Sequence, residues 1–139
     1  MTYSELHAAG ASGQTEMATI LVVEDEFGIA EVLESVLVEA GHDVVTAING
    51  KQGLERLTEK PPQLVLLDFM MPVLDGPGML RAMKNDPAYR AIPAVIMSSL
   101  PESAVAEGAS GLYSGFLRKP FKLHAVIEVI NRVLKENRF

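Results

Sequence analysis

Three carboxylates, a hydroxyl and an amine stand at equivalent places along this chain, each at the end of a short apolar run. Glu24 and Asp25 follow Ile20-Leu21-Val22-Val23, and Asp68 follows Leu64-Val65-Leu66-Leu67. Ser98 follows Ala94-Val95-Ile96-Met97, and Lys119 comes shortly after Gly115-Phe116-Leu117. Carboxylates gathered in one place repel one another unless a cation neutralises them. Oxygen-only donors with open positions suit Mg²⁺, which keeps several waters and accepts phosphate oxygens. A lysine and a hydroxyl beside such a cluster complete a site for a transferred phosphoryl group. Asp68 is then the candidate nucleophile, since a carboxylate can form an aspartyl phosphate. Lys119 and the metal would neutralise charge on the phosphoryl oxygens.

The elements that must bring these residues together are legible in the pattern. The apolar runs are short and continuous, as in strands buried on both faces. Val44-Val45-Thr46 reads as a further strand. Between the runs lie helical spacings: Ile29, Val32, Leu33, Val36, Leu37 and Ala40, with Gly41 as a stop. Others span about Gly50 to Glu59, Pro77 to Lys84, and Glu102 to Glu107, and a last one carries Leu123, Val126, Ile127, Ile130 and Leu134. Strands alternating with helices predict an α/β fold, a doubly wound five-stranded parallel sheet with helices on both faces. Ligands of such sheets bind beyond the carboxyl ends of the strands, where the candidate residues stand. The glycines at 108, 111 and 115 predict a short or frayed fourth helix, because glycine weakens helices by about 1 kcal/mol relative to alanine.

The motifs resemble those of the receiver domain of bacterial two-component response regulators. They are Leu21-Val22-Val23-Glu24-Asp25-Glu26, Leu66-Leu67-Asp68-Phe69-Met70-Met71-Pro72 with Asp75-Gly76, Val95-Ile96-Met97-Ser98-Ser99, and Phe116-Leu117-Arg118-Lys119-Pro120. The resemblance implies a flavodoxin-like strand order, 2-1-3-4-5, and an assignment of roles. Asp68 resembles the phosphoacceptor, Asp25 the main acidic ligand of Mg²⁺ (Mn²⁺ can substitute), with Glu24 assisting, and the Met70 backbone carbonyl a further ligand. Lys119 resembles the lysine that contacts the phosphoryl group, and its bond to Pro120 is expected to be cis. Ser98 and Phe116 stand at the switching hydroxyl and aromatic. The implied donor is a sensor histidine kinase or a histidine phosphotransfer protein. The implied output surface is the fourth helix, fifth strand and fifth helix, which can also pair two copies. Met70 and Leu100 occupy positions that flank the approach of hydrolytic water to the phosphoryl group. Neither can hydrogen-bond a water, which implies a long-lived phosphorylated state.

Other functions fit less well. A flavin-binding member of the same fold needs a phosphate-receiving loop after the first strand, and here that loop opens on Glu24-Asp25-Glu26. A phosphatase of the haloacid-dehalogenase type needs a second Asp two residues past the nucleophile, where this chain has Met70. A pseudo-receiver, an interaction module that works without phosphorylation, should lack part of the acidic pocket or the lysine. The 139 residues suit one domain, with residues 1–18 as a flexible, unpatterned extension and 19–138 as the receiver unit. Apolar residues make up 48% and charged residues 22%, the profile of a soluble globular protein, and the lack of cysteine fits a cytoplasmic one. The absence of cysteine excludes thiolate chemistry, and a net charge of −6 gives no reason to expect direct nucleic-acid binding. The apolar runs are too short to span a membrane. The chain ends soon after the last helix, so a stand-alone receiver or a fragment of a longer regulator is expected, without a catalytic output domain of its own. His7, His42 and His124 show no ligand spacing and are expected at the surface.

Overall fold

All the residues of β3 (Leu64–Asp68) and β4 (Ala94–Ser98) are buried, as continuous apolar runs demand of strands covered on both sides. The computed structural model describes residues 17–137. Around these central strands lie β1 (Thr19–Val23), β2 (Asp43–Ala47) and β5 (Gly115–Arg118), all parallel, in the order β2-β1-β3-β4-β5. The helices are α1 (Phe27–Glu39), α2 (Gly50–Glu59), α3 (Gly76–Lys84), α4 (Glu102–Ala109) and α5 (Leu123–Glu136). The expected doubly wound order is thus the order found.

Side chains along a strand alternate between faces, and the alternation divides the core in two. Ile20, Val22, Leu64, Leu66, Val95 and Met97 pack with Leu33 and Leu37 of α1 and Val126, Ile130 and Val133 of α5. Leu21, Val23, Val65, Leu67 and Ile96 pack on the other face with Leu57 of α2, Met79, Leu80 and Met83 of α3, and Val105 of α4. The strand residues named are nearly or wholly inaccessible. At about 25 cal/mol per Å² of apolar surface buried, these two layers are the main source of stability.

Helix ends follow local chemistry. Beyond α1, Gly41 takes φ 99°, and the N–H groups of Gly41 and His42 donate to the carbonyls of Val38 and Leu37. The Asn49 side chain caps α2 by accepting from the Gln52 N–H, and Asp75 caps α3 by accepting from that of Gly78. α4 runs through Gly108 to Ala109, two residues past its expected end, and buries Val105 and Ala109.

Two expectations need revision at the first strand. His42 is buried, 4% exposed, because the turn after α1 tucks it beneath the start of β1. There its Nδ1 accepts the Ala18 N–H at 3.1 Å. Ala18, placed in the extension by the sequence pattern, is itself buried among the residues facing α1 and α5. His124 is exposed as expected, while His7 and residues 1–16 of the proposed extension lie outside the described residues. Among the described residues no helix is long and apolar enough to cross a membrane.

The β3–α3 loop contains a γ-turn in which the Leu74 N–H donates to the Pro72 carbonyl at 2.8 Å around Val73 at φ 72°. A β-branched residue is strained at that angle. The turn is held from both sides: the Leu74 carbonyl accepts the Gly50 N–H, and the Gly76 N–H donates to Phe69, both at 3.0 Å. Such strain costs roughly 1–3 kcal/mol, against about 0.5–1 kcal/mol for glycine's extra chain entropy. Val73→Gly should therefore stabilise the fold by about 1 kcal/mol in urea unfolding. A loss of stability would show that Val73 sits there without strain.

Candidate functional site

The sheet delivers the candidate residues to one edge by continuing its ladder. Beyond β1, the Glu24 N–H donates to the Ala47 carbonyl at 3.0 Å; beyond β3, the Phe69 N–H donates to the Met97 carbonyl at 2.8 Å. Beyond β5, the Lys119 N–H donates to the Ser98 carbonyl at 2.8 Å. Asp68 is in register with Met97, which puts Ser98 one residue further along the neighbouring strand. Gly76 lets α3 close behind the site: a Cβ there would come within 2.7 Å of the Asp68 carbonyl oxygen. The Lys119-Pro120 bond is cis, as expected.

Ligand atoms of Glu24, Asp25 and Asp68 all lie within 4.8 Å of one another. Glu24 and Asp68 are buried, whereas Asp25 is exposed. Lys119 reaches into the cluster, its Nζ 2.7 Å from Glu24 Oε1 and 3.2 Å from Asp68 Oδ1. Glu24 Oε2 also accepts the Glu26 N–H at 3.1 Å. The sequence predicted that Lys119 would attend the phosphoryl group; its shorter bond to Glu24 had no signal, since nothing in the motif distinguishes the two carboxylates as partners.

The charges set the electrostatics. Burial pushes the Glu24 carboxyl above the usual range, helped by the Asp68 charge and opposed by the Lys119 and Glu26 hydrogen bonds. Burial likewise raises Asp68, with Asp25 adding repulsion, and Lys119 only partly compensates. Burial works against the Lys119 cation, but the Glu24 hydrogen bond and the Asp68 charge outweigh it and raise its pKa. Raised values on both partners are consistent because one ammonium faces three carboxylates: the lysine gains charge partners, while the acids remain under-neutralised.

The remaining predicted residues surround this cluster without joining it. Ser98 is buried and its Oγ accepts the Leu100 N–H at 3.0 Å. Met70, two residues past Asp68, and Leu100 have exposed side chains. Phe116 is half-buried against the α2–α4 side of the core. The Ser99 carbonyl accepts the Arg118 Nε–H at 2.8 Å, which ties the β4–α4 loop to β5. That tie is a tertiary contact with no sequence pattern of its own.

A carboxyl whose folded pKa is raised binds more protons folded than unfolded, so it removes stability as pH rises from its unfolded pKa through the folded one. For Glu24 and Asp68 that window opens near pH 4 and extends upward. In chelator, Asp68→Asn should therefore stabilise the protein at pH 7 by about 1 kcal/mol and flatten the loss between pH 5 and pH 7. Urea unfolding at the two pH values checks this. Lower stability of the variant at pH 7 would mean that Lys119 fully compensates Asp68.

Comparison with known proteins agrees with this fold. The family model described as the response regulator receiver domain matches residues 20–131. Protein PilG of Pseudomonas aeruginosa is 30% identical over 120 residues, covering 84% of this chain and 87% of that protein. A probable chemotaxis protein CheY of Rhizobium etli is 32% identical, covering 86% and 97%. The transcriptional regulatory protein PrrA of Mycobacterium tuberculosis is 35% identical, but the chain spans 49% of that protein's length. Among solved structures, the chemotaxis response regulator CheY4 of Vibrio cholerae superposes with a TM-score of 0.80 at 25% identity, covering 86% of this chain and 100% of that one. NtrX of Brucella abortus gives 0.82 at 28% identity over 88% of this chain and 28% of the longer one. Matched along most of its length in sequence and in strand order, the chain belongs to the receiver domains of two-component response regulators.

Proposed function

We propose that Asp68 accepts a phosphoryl group from the phosphohistidine of a sensor histidine kinase or phosphotransfer protein, in a Mg²⁺-dependent reaction that switches the output surface. The observation that carries this reading is the placement of Lys119 Nζ 3.2 Å from Asp68 Oδ1, with Glu24 and Asp25 beside them. The donor set fits a hard divalent cation, being all oxygen and short of positive charge. Glu24, Asp25, Asp68 and the Met70 backbone carbonyl would hold Mg²⁺ or Mn²⁺; when bound, the ion supplies further neutralisation of phosphoryl charge. Asp68 forms a bond to phosphorus, and the breaking P–N bond returns its electron pair to the donor imidazole. Lys119 then has phosphoryl oxygens to neutralise in addition to Glu24. Ser98 turns its hydroxyl to donate to one of them, and the vacated space lets Phe116 rotate inward.

The output surface in this reading is the α4–β5–α5 face, the surface that would contact the downstream protein or pair two copies. α4 is lightly anchored: Val105 and Ala109 are its buried residues, and its polar ties are the Tyr113 Oη–H to Glu102 at 2.9 Å and an Arg81 Nη1–H to the Gly108 carbonyl at 3.3 Å. A small change beneath it has little to overcome. The proposed unit spans residues 19–138. With Glu24, Asp25, Asp68 and Lys119 all in place, nothing favours a phosphorylation-independent pseudo-receiver.

The direct test is labelling by acetyl phosphate followed by peptide mass spectrometry. Label should appear on Asp68 with Mg²⁺ or Mn²⁺, vanish with chelator and vanish in Asp68→Asn, while Asp25→Ala should weaken metal binding at least about tenfold. Undiminished labelling of Asp68→Asn would sink the assignment.

Lifetime of the phosphorylated state follows from what flanks it. Met70 and Leu100 are apolar and bulky and cannot orient an attacking water. Met70→Asn with Leu100→Glu should hasten loss of the phosphoryl group about tenfold, or ~1.4 kcal/mol of barrier, with Mg²⁺ affinity nearly unchanged. The measurement is decay of purified phosphoprotein in excess Mg²⁺ after donor removal. Equal decay of the two proteins would contradict the shielding.

A further inference from the structure

One peptide unit in the β4–α4 loop, next to Ser98, is held at both ends. Its oxygen, the Ser99 carbonyl, accepts the Arg118 Nε–H at 2.8 Å, and its nitrogen, the Leu100 N–H, donates to Ser98 Oγ at 3.0 Å. The peptide before it is held as well, since the Ser98 carbonyl accepts the Lys119 N–H at 2.8 Å. Ser98 and Arg118 are register partners on β4 and β5. Two successive residues at the end of β5 therefore grip two successive peptides of the loop. Lys119 grips through its backbone, as almost any residue could. Arg118 grips through its side chain, so this second hold depends on residue type.

The consequence falls on Ser98. It is buried, and its hydroxyl oxygen lies against the Leu100 N–H. To donate to a phosphoryl oxygen, the hydroxyl must turn away and leave that part-buried N–H without its partner. An unmet N–H is costly unless the peptide can rotate and present it to water. A planar peptide turns as one body, so such a rotation also swings the carbonyl at its other end. That carbonyl is the one Arg118 holds. Ser99, Leu100 and Arg118 are all exposed, so water is at hand once the carbonyl is released.

We infer that Arg118 is a positioning residue for the switch: through the Ser99–Leu100 peptide it holds the Ser98 hydroxyl in its resting direction and so restrains the phosphorylated arrangement. The inference rests on the phosphoacceptor role of Asp68 and the switching role of Ser98. Arg118 touches neither residue's reacting atoms; it acts by fixing the plane of the peptide whose N–H engages Ser98. Removing the Arg118 donor frees that plane, lowers the cost of turning the hydroxyl and favours the phosphoryl-bound form. The effect is limited to the worth of one exposed hydrogen bond, a factor of roughly two to ten.

The test measures the dissociation constant of beryllofluoride, a phosphoryl mimic, on the full chain in excess Mg²⁺ by titration calorimetry. Glutamine carries an N–H donor on the same side-chain carbon as arginine but no charge; methionine keeps the stem and has no donor. Arg118→Met should bind the mimic about fivefold more tightly, and Arg118→Gln should bind it no more tightly than the unaltered protein. Deleting a positive charge near an anion would by itself weaken binding, so the direction separates the peptide's release from simple electrostatics. In a Ser98→Ala background, Arg118→Met should change nothing. With neither mimic nor metal, amide exchange at Leu100 should quicken about fivefold in Arg118→Met and stay unaltered in Arg118→Gln. Unchanged or weaker mimic binding by Arg118→Met, or tightening that persists without the Ser98 hydroxyl, would overturn the inference alone, as would equal Leu100 exchange in the two variants. Failure of the unaltered protein to bind the mimic would overturn the phosphoacceptor reading and the inference with it.

Discussion

The Lys119 ammonium, set between Glu24 and Asp68, is the interaction around which the rest of the molecule is arranged. It is partly withdrawn from water and faces two buried carboxylates, with the exposed Asp25 close by. Burying charge is costly unless it is paired, and here the pairing is incomplete by construction. A site left short of positive charge has a standing affinity for cations and a readiness to exchange one partner for another. Both properties suit the phosphoryl-accepting role proposed for Asp68. The destabilisation this brings is small beside the two apolar layers that flank the sheet, which is how the fold sustains it.

Those layers do more than stabilise. The strands that carry the site are pinned by register and by side chains with no exposure, so the positions of Glu24, Asp68 and Ser98 are set by the rigid part of the molecule. The parts that would have to move are attached more lightly. β5 is an edge strand whose Phe116 and Arg118 are incompletely buried, and α4 rests on few apolar contacts. Rigidity under Asp68, the proposed nucleophile, and looseness at the neighbouring surface are what a local charge change needs to alter a distant face.

Much of this was legible in the sequence because the signals were local and periodic. Ile20 to Val23, Leu64 to Leu67 and Ala94 to Met97 could hardly be anything but buried parallel strands, and parallel strands oblige the residues after them to meet at one edge. Glu24, Asp25, Asp68 and Lys119 were identified on that argument, and they meet. What escaped depended on contacts between distant segments. His42 looked like a surface residue because nothing in its neighbourhood shows that it lies beneath the Ala18 N–H. The division of Lys119 between two carboxylates and the strap from Arg118 to Ser99 are likewise tertiary facts. The glycines at 108, 111 and 115 correctly pointed to a short fourth helix, but Gly108 is accommodated inside it, in ordinary contact with Phe69.

If one ammonium balances an under-neutralised cluster, removing it should increase the cluster's appetite for a divalent cation. The measurement is the Mg²⁺ dissociation constant of Lys119→Met against the unaltered protein, by titration calorimetry at pH 7 and fixed ionic strength. Methionine keeps the length and much of the packing of the lysine stem while deleting its charge. The account predicts binding tighter by about tenfold, or ~1.4 kcal/mol, because the ion no longer shares the carboxylates with an ammonium. Binding that is unchanged or weaker in Lys119→Met would contradict it.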